Sequence, residues 1–217
     1  MRTPLSTLQR YIETLLLKEE SPGREERKKY LETAVRHCKR LTKLVSELLE
    51  LAKLESDEIS LNPEPFNLSE LVQDVIQKFH LRARDRGISL VPPDNRDLPL
   101  VEGDIGLIER VLENLIENAI HYTAKGGMVA LELIREGNDV SVRVKDTGSG
   151  IPEEELPHIF NRFHKLDKSR KHEAGHSGLG LAIAEKILEL HERTIEVDSV
   201  PSAGTTFIFH LPVHRHA

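Results

Sequence analysis

Two asparagines, one aspartate and two glycine clusters are the residues in this chain whose types and spacing could do chemistry. In RVLENLIENAIHYT, Asn114 and Asn118 stand four apart and so share one face of a helix. Asparagine is a poor mid-helix residue unless its amide is used. Its carbonyl can ligate Mg²⁺ and its NH₂ can donate to a phosphate. The plainer alternative is a pair of solvated or capping amides. In DTGSGI, Asp146 ends an alternating strand just before Gly148 and Gly150, which reads as a carboxylate presented at a sheet edge beside free backbone N–H groups. An acceptor there suits the exocyclic amine of adenine, and glycine lets a ligand approach the chain closely. A turn needing positive φ also explains the glycines but leaves Asp146 without a task. In GHSGLGL, Gly178 and Gly180 open an apolar helix whose unpaired N–H groups and dipole favour phosphate. A dinucleotide-binding turn should follow a buried strand directly, whereas a polar, basic run precedes this one. With Phe160, Phe163 and several cations between the glycine clusters, the stretch reads as a hinged flap over phosphates.

Those residues need elements to hold them. Residues 105–122 are strongly helical, and 128–135 with 139–146 alternate across Gly137 and Asn138 as a hairpin. A helix over 68–86 has Asn67 or Ser69 as its cap. Short strands are expected at 88–91 and 98–102, a helix at 179–191, and a last strand pair at 194–199 and 205–211. Helices covering one face of a mixed, mostly antiparallel sheet make an α+β sandwich. Upstream, Leu5, Leu8, Ile12, Leu15 and Leu16 form one apolar stripe, broken at Ser21, Pro22 and Gly23. A longer stripe follows, with Leu31, Val35, Cys38, Leu41, Val45, Leu48, Ala52 and Leu54 on or near one face. A helix of about 30 residues is about 45 Å long and needs partners. An antiparallel hairpin that dimerises into a four-helix bundle supplies them, and a hairpin lying on the next domain of a monomer is the alternative. Asn62, Pro63, Glu64 and Pro65 mark the boundary, dividing the chain into a helical hairpin (1–60) and a compact domain (61–217).

Composition excludes several classes. The net charge is −6 with no long basic run, which removes the phosphate grip of a nucleic-acid binder. One cysteine, Cys38, precludes an internal disulfide or a cysteine-rich zinc site. The 11 histidines are scattered, with no H-E-x-x-H spacing. No apolar run is long enough to span a bilayer, so the chain as written reads as soluble and cytoplasmic, with any membrane anchor in a missing N-terminal sensory region.

Asn114 and Asn118, then DTGSGI, IFNRFHK, GHSGLGL and GTTF follow one another in an order that resembles the ATP-binding domain of bacterial sensor histidine kinases. That domain belongs to the wider superfamily shared with DNA gyrase, a heat-shock chaperone and the mismatch-repair ATPases, whose sandwich is of the Bergerat type. RLTKLVSELLELAKLES and PEPFNLSELV are similar to the end of the family's dimerisation helix and its connection to the catalytic domain. The resemblance implies ATP and Mg²⁺ as ligands, with Asn118 on the metal and Asn114 assisting at the phosphates. It implies Asp146 on the adenine amine, Gly148 and Gly150 shaping the base pocket, and Tyr122 near the base. Phe160 and Phe163 would anchor the lid, with Arg162 and Lys165 as its cations. Gly175, Gly178 and Gly180 would admit the phosphates. His121, Ile151, Ser177, Leu179, Leu181 and Thr206 complete the implied cofactor-binding set, Thr205 and Thr206 belonging to a supporting motif.

The implied activity is transfer of the γ-phosphoryl of ATP to a histidine and on to a response-regulator aspartate, in a homodimer joined through residues 1–60. The family's phosphoacceptor box reads approximately His-Glu-Leu-Arg-Thr-Pro-Leu, and Met1 takes its third place here, so the nucleophile is expected upstream. An internal methionine taken as the start, a trimmed chain and a natural variant that binds ATP without phosphorylating itself all account for this. His37 and His80 are poor substitutes. Three smaller departures are His121 where many members have lysine, His176 at a frequent glycine, and Glu192-Arg193 in place of a common Gly-Gly turn. An ATP-sensing regulatory module without autokinase activity is the second reading. An ATP-hydrolysing relative of gyrase is the third, disfavoured because Asn114 stands where those proteins place a water-activating glutamate.

Overall fold

The computed structural model describes residues 12, 23–56, 60–94, 97–165 and 177–215. The expected first helix (5–17) lies outside the described residues apart from Ile12, as do Gly175 and His176. In chain order the elements are α1 (Arg24–Leu54), β1 (Glu64–Phe66), α2 (Leu68–Asp85), β2 (Ser89–Val91), β3 (Val101–Gly103), α3 (Ile105–Tyr122), β4 (Met128–Glu136), β5 (Asp139–Asp146), a 3-10 turn (Glu153–His158), α4 (Gly180–Leu190), β6 (Ile195–Val200) and β7 (Gly204–Pro212).

Alternation builds the main sheet, whose strand order is β2-β4-β5-β7-β6, antiparallel except where β2 runs parallel to β4. Val129, Leu131 and Leu133 of β4, Val140, Val142 and Val144 of β5, and Phe207, Phe209 and Leu211 of β7 all point to one face and are buried. Helices α2, α3 and α4 cover that face, and the intervening residues form a polar outer face with Glu132, Arg143 and His210. The fold is the α/β sandwich, mostly antiparallel, that the element order implies.

Helix α3 is the central strut. Ile108, Val111, Leu112, Leu115, Ile116 and Ile120 are each fully buried, a gross contribution of roughly 1.5–3 kcal/mol per side chain. Its N-cap is Asp104, whose Oδ1 accepts from Leu107 N–H, and Asp104 N–H donates in turn to Nε2 of His191. Thr123 ends the helix, its hydroxyl donating to Ala119 O. Helix α2 is capped by Asn67, which accepts from the N–H groups of Ser69 and Glu70.

Three features differ from the sequence expectation. Of the boundary prolines, Pro65 sits in β1 and Pro63 just before it, and β1 pairs antiparallel with β3 in a separate two-stranded sheet. The start of the flap is a 3-10 turn with Glu153, Glu154 and Glu155 in its first turn. Helix α1 has two apolar faces rather than one. Leu31, Val35, Val45 and Leu49 are exposed, while Leu51 and Leu54 are buried in the core of the sandwich. A 3.6-residue period cannot distinguish one broad stripe from two opposed narrow ones when apolar residues are this frequent. Among the described residues no helix is long and apolar enough to cross a membrane.

Candidate nucleotide site

One cavity gathers residues from α1, α3, α4, the flap and the ends of β5 and β7. Asn114, Glu117, Asn118 and Tyr122 come from α3, Asp146, Ser149, Gly150 and Ile151 from the end of β5 and its turn, and Thr205 from β7. Ile159, His164 and Lys165 come from the flap, Ser177, Gly178, Gly180 and Leu181 from the start of α4, and Lys43 and Glu47 from α1.

Asp146 is nearly fully buried at the C-terminal end of β5. That strand lies between β4 and β7, so the carboxylate is at the end of a central strand and not at the sheet edge the sequence suggested. Gly148 N–H donates to Asp146 Oδ1 at 2.7 Å, and Thr205 N–H is a second backbone donor to the carboxylate. Burial nonetheless pushes its pKa above the usual carboxylate value, and these two bonds offset that only in part.

Gly148 serves that hydrogen bond rather than the cavity wall, because a Cβ there would meet Asp146 Oδ1 at 2.6 Å and Tyr122 O at 2.7 Å. Gly150 has φ +67° and a Cβ on it would lie 2.1 Å from Val200 O, so close strand packing demands glycine. Gly180 allows the first turn of α4 to sit against α3, where a Cβ would stand 3.1 Å from Asn114 Oδ1.

Asn114 is nearly fully buried, and its Nδ2 has no hydrogen-bond partner among the described residues. A buried NH₂ left unpaired carries a desolvation penalty of about 1–3 kcal/mol. Facing it, α4 begins at Gly180 with no side-chain cap, so its first N–H groups are free of one. Donors from two helices thus converge on one side of the cavity. Asn118 stands one turn beyond Asn114, its side chain half-buried on the cavity wall.

Of the sequence-derived set, Asn114, Asn118, Tyr122, Asp146, Gly150, Ile151, Lys165, Ser177, Gly178, Gly180 and Leu181 line the cavity. His121, Gly148, Phe160, Arg162, Phe163, Leu179 and Thr206 do not, and Gly175 is outside the described residues. His121 stacks edge-on against Tyr122, with ring centroids 4.8 Å apart. Thr206 pairs with Lys145 on the outer face, and Thr205, its neighbour opposite Asp146, lines the cavity instead, because successive strand residues point to opposite sides. Leu179 is buried in the core. Phe160 packs edge-on against Phe207. Phe163 is exposed with φ +63°, and it fastens the flap through its backbone, donating N–H to Gly178 O at 2.8 Å. Arg162 pairs with Glu55 at the end of α1. Burial, with help from the positive charge of Arg40, lowers the Lys165 pKa.

Sequence reasoning missed Lys43, Glu47, Glu117, Ser149, Ile159 and His164, and it gave Thr205 only a supporting part. Glu117 carried a usable signal, sitting three residues after Asn114 on the same helical face. Lys43 and Glu47 carried none, since nothing local tells which face of α1 meets the sandwich.

Comparison with known families decides where this architecture belongs. Residues 103–215 match the model of the histidine kinase-, DNA gyrase B- and HSP90-like ATPases, and residues 1–57 match the His Kinase A (phospho-acceptor) domain. The chain belongs to the histidine-kinase family. This histidine-kinase core is 34% identical over 218 residues to the sensor histidine kinase WalK of Bacillus subtilis, a match covering 98% of the chain and 35% of WalK. It is 33% identical to the adaptive-response sensory kinase SasA of Microcystis aeruginosa, covering 99% of the chain and 57% of that kinase. Among solved structures it matches histidine kinase ThkA in complex with response regulator protein TrrA, with a TM-score of 0.78 and 31% identity over 98% of this chain and 58% of that one. The histidine-kinase core thus spans about a third of WalK and somewhat over half of SasA.

Proposed function

We propose that this chain is the ATP-binding core of a two-component sensor histidine kinase, in which residues 61–217 bind Mg-ATP and residues 1–60 form the helical dimerisation part. The observation that carries this reading is the convergence of the unpartnered Asn114 amide, the Asn118 side chain and the uncapped start of α4 on one cavity, with the buried Asp146 carboxylate also on its wall. The first three suit phosphates with a bound cation, and the last suits the adenine amine.

Asn118 would hold magnesium through its carbonyl oxygen, and the Asn114 NH₂ would donate to a phosphate oxygen. Magnesium, when bound, neutralises phosphate charge. Asp146 orients the base, with its own carboxylate held by Gly148 and Thr205. Phosphoryl transfer depends mainly on positioning and electrostatic stabilisation, which these groups supply. The γ-phosphorus is attacked by a histidine nitrogen of the phosphoacceptor helix as its bond to the bridging oxygen breaks and ADP leaves. The phosphoryl group then passes to an aspartate of a response regulator, and ThkA was solved with such a partner.

The exposed face of α1 supports a homodimer. Leu31, Val35, Cys38, Thr42, Val45 and Leu49 follow one another at four- and three-residue steps, the seam of a coiled coil. The test of the kinase reading uses a chain extended to contain the His-Glu pair, incubated with γ-labelled ATP. An acid-labile phosphoprotein is expected, and its absence alongside measurable Mg-ATP binding would leave only the regulatory-module reading. Steady-state ATP hydrolysis lost in Asn118→Ala would point instead to the gyrase-like ATPases.

A further inference from the structure

Helix α1 meets the candidate nucleotide cavity with charge. Lys43 and Glu47, one turn apart on α1, line the same cavity as Asn118 and Asp146. Lys43 Nζ donates to both carboxylate oxygens of Glu117 at 2.7 Å and lies 3.7 Å from Glu47 Oε1. Glu117, immediately before Asn118, also accepts from Arg82 Nη1 at 2.8 Å. Glu47 is 4% exposed and its Oε2 has no hydrogen-bond partner among the described residues. Two further ionic contacts hold the helix down. Arg110 donates to both oxygens of Glu50 at 2.7 and 2.8 Å, and Arg162 pairs with Glu55. Toward its C-terminus the grip becomes apolar, with Leu51 and Leu54 in the core.

A polyphosphate entering this cavity meets the buried Glu47 carboxylate directly. Lys43 cannot move to the phosphates without giving up its ion pair with Glu47, and the other cation whose field reaches that buried carboxylate, Arg110, is held by Glu50. Anionic ligand and docked helix therefore compete for the same lysine. Because coupling between two binding events is reciprocal, weakening the helix contact must tighten ligand by the factor that ligand weakens the contact.

We propose that α1, docked through the Lys43–Glu117 and Glu50–Arg110 pairs with Glu47 facing the cavity, is an autoinhibitory latch that lowers nucleotide affinity, and that loading Mg-nucleotide releases its segment 43–50 from α3. This rests on the reading of the cavity as the ATP site. Leu51 and Leu54 act as the hinge end and stay packed.

The test uses the whole chain, with Mg-ADP affinity by calorimetry and backbone hydrogen exchange over residues 41–50. Glu50 does not line the cavity, so Glu50→Lys, which sets like charges against each other at Arg110, acts only through docking. It should tighten Mg-ADP by about fivefold or more, within the usual range of coupling between sites, and speed exchange over 41–50 without ligand. Glu47→Gln keeps shape and removes the charge, and it should tighten Mg-ADP as well. In the unsubstituted chain, saturating Mg-ADP should speed exchange over 41–50. Unchanged or weaker affinity in both variants, or exchange that slows or stays constant at saturation, would overturn the latch while leaving the nucleotide site standing. No Mg-ADP binding by any of the three proteins would sink the nucleotide site itself, and the latch with it.

Discussion

The two ends of the cavity are built by different means. At the Asp146 end, β5 and β7 meet in register, Gly148 and Thr205 hold the carboxylate with backbone N–H groups, and Gly150 and Gly204 let the strands close. At the opposite end, side chains and helix termini from α1, α3, α4 and the flap come together, and their contacts are mostly ionic or left open, as with the Asn114 amide. Backbone geometry makes the first end rigid, because a strand end cannot shift without breaking its ladder. The second end can rearrange, because ion pairs at partly exposed sites are individually weak.

The largest effect that would sharpen this contrast is at Gly204, where φ is +119° and a Cβ would lie 1.9 Å from Asp146 O. Gly204→Ala is expected to destabilise the fold by about 3 kcal/mol or more, through strain and a backbone clash. Denaturant titration checks this, and a loss below about 1 kcal/mol would show that the Asp146 end gives way. Next comes Asp146→Asn, which should weaken Mg-ATP binding by roughly 30-fold or more, the scale of a hydrogen bond to a charged acceptor. Its unliganded melting temperature should match or exceed that of the parent at neutral pH, since burial makes the ionised carboxylate unfavourable in the fold.

The pH dependence follows from the same shift. A carboxyl whose folded pKa is raised favours the folded state most below its unfolded pKa, and that contribution declines as pH rises through the folded value. Adenine recognition needs the ionised form, so nucleotide affinity should fall as pH drops through the raised Asp146 pKa, at higher pH than for an ordinary aspartate. Asp146→Asn should remove this dependence, and a calorimetric pH series on both proteins decides it. At the other end, Glu117 moves oppositely. Burial raises its pKa, but the hydrogen bonds from Lys43 and Arg82 outweigh burial and leave it lowered. Its contribution to holding α1 is complete above the ordinary glutamate pKa and is lost as pH falls through the lowered value, which exchange over 41–50 reads.

The smallest effect tests neither end and serves as a control. Glu192 holds φ +57° in the turn after α4, a left-handed conformation that favours glycine. Glu192→Gly should stabilise the fold by about 0.5–1 kcal/mol, the left-handed strain less the extra freedom of unfolded glycine. Mg-ATP affinity should not change.

Much of the sandwich was legible from one residue to the next. Asn67 capped its helix, Gly137-Asn138 turned the β4–β5 hairpin, and α3 runs over the residues its periodicity marks. The asparagines, Asp146 and the α4 glycines were visible as candidates because their types conflict with, or exceed, what helix and strand need. The β1–β3 pair was not legible, since each strand has three residues and its partner lies far along the chain. Thr206 was preferred to Thr205 because composition does not reveal the phase of a strand against its sheet. The two faces of α1 and the entry of Lys43 and Glu47 into the cavity depend on how a long helix rotates against a distant surface.

The sequence by itself determined the local elements, the ordered motifs and hence the family, because capping, alternation and turn chemistry act within a few residues. Only the tertiary structure decided that Asp146 ends a central strand, that Asn114 is buried with an unmatched donor, and that α1 lays Lys43 against Glu117. Those facts depend on register and rotation between elements far apart in the chain, and the free energy that sets them comes from packing that no short window of residues contains.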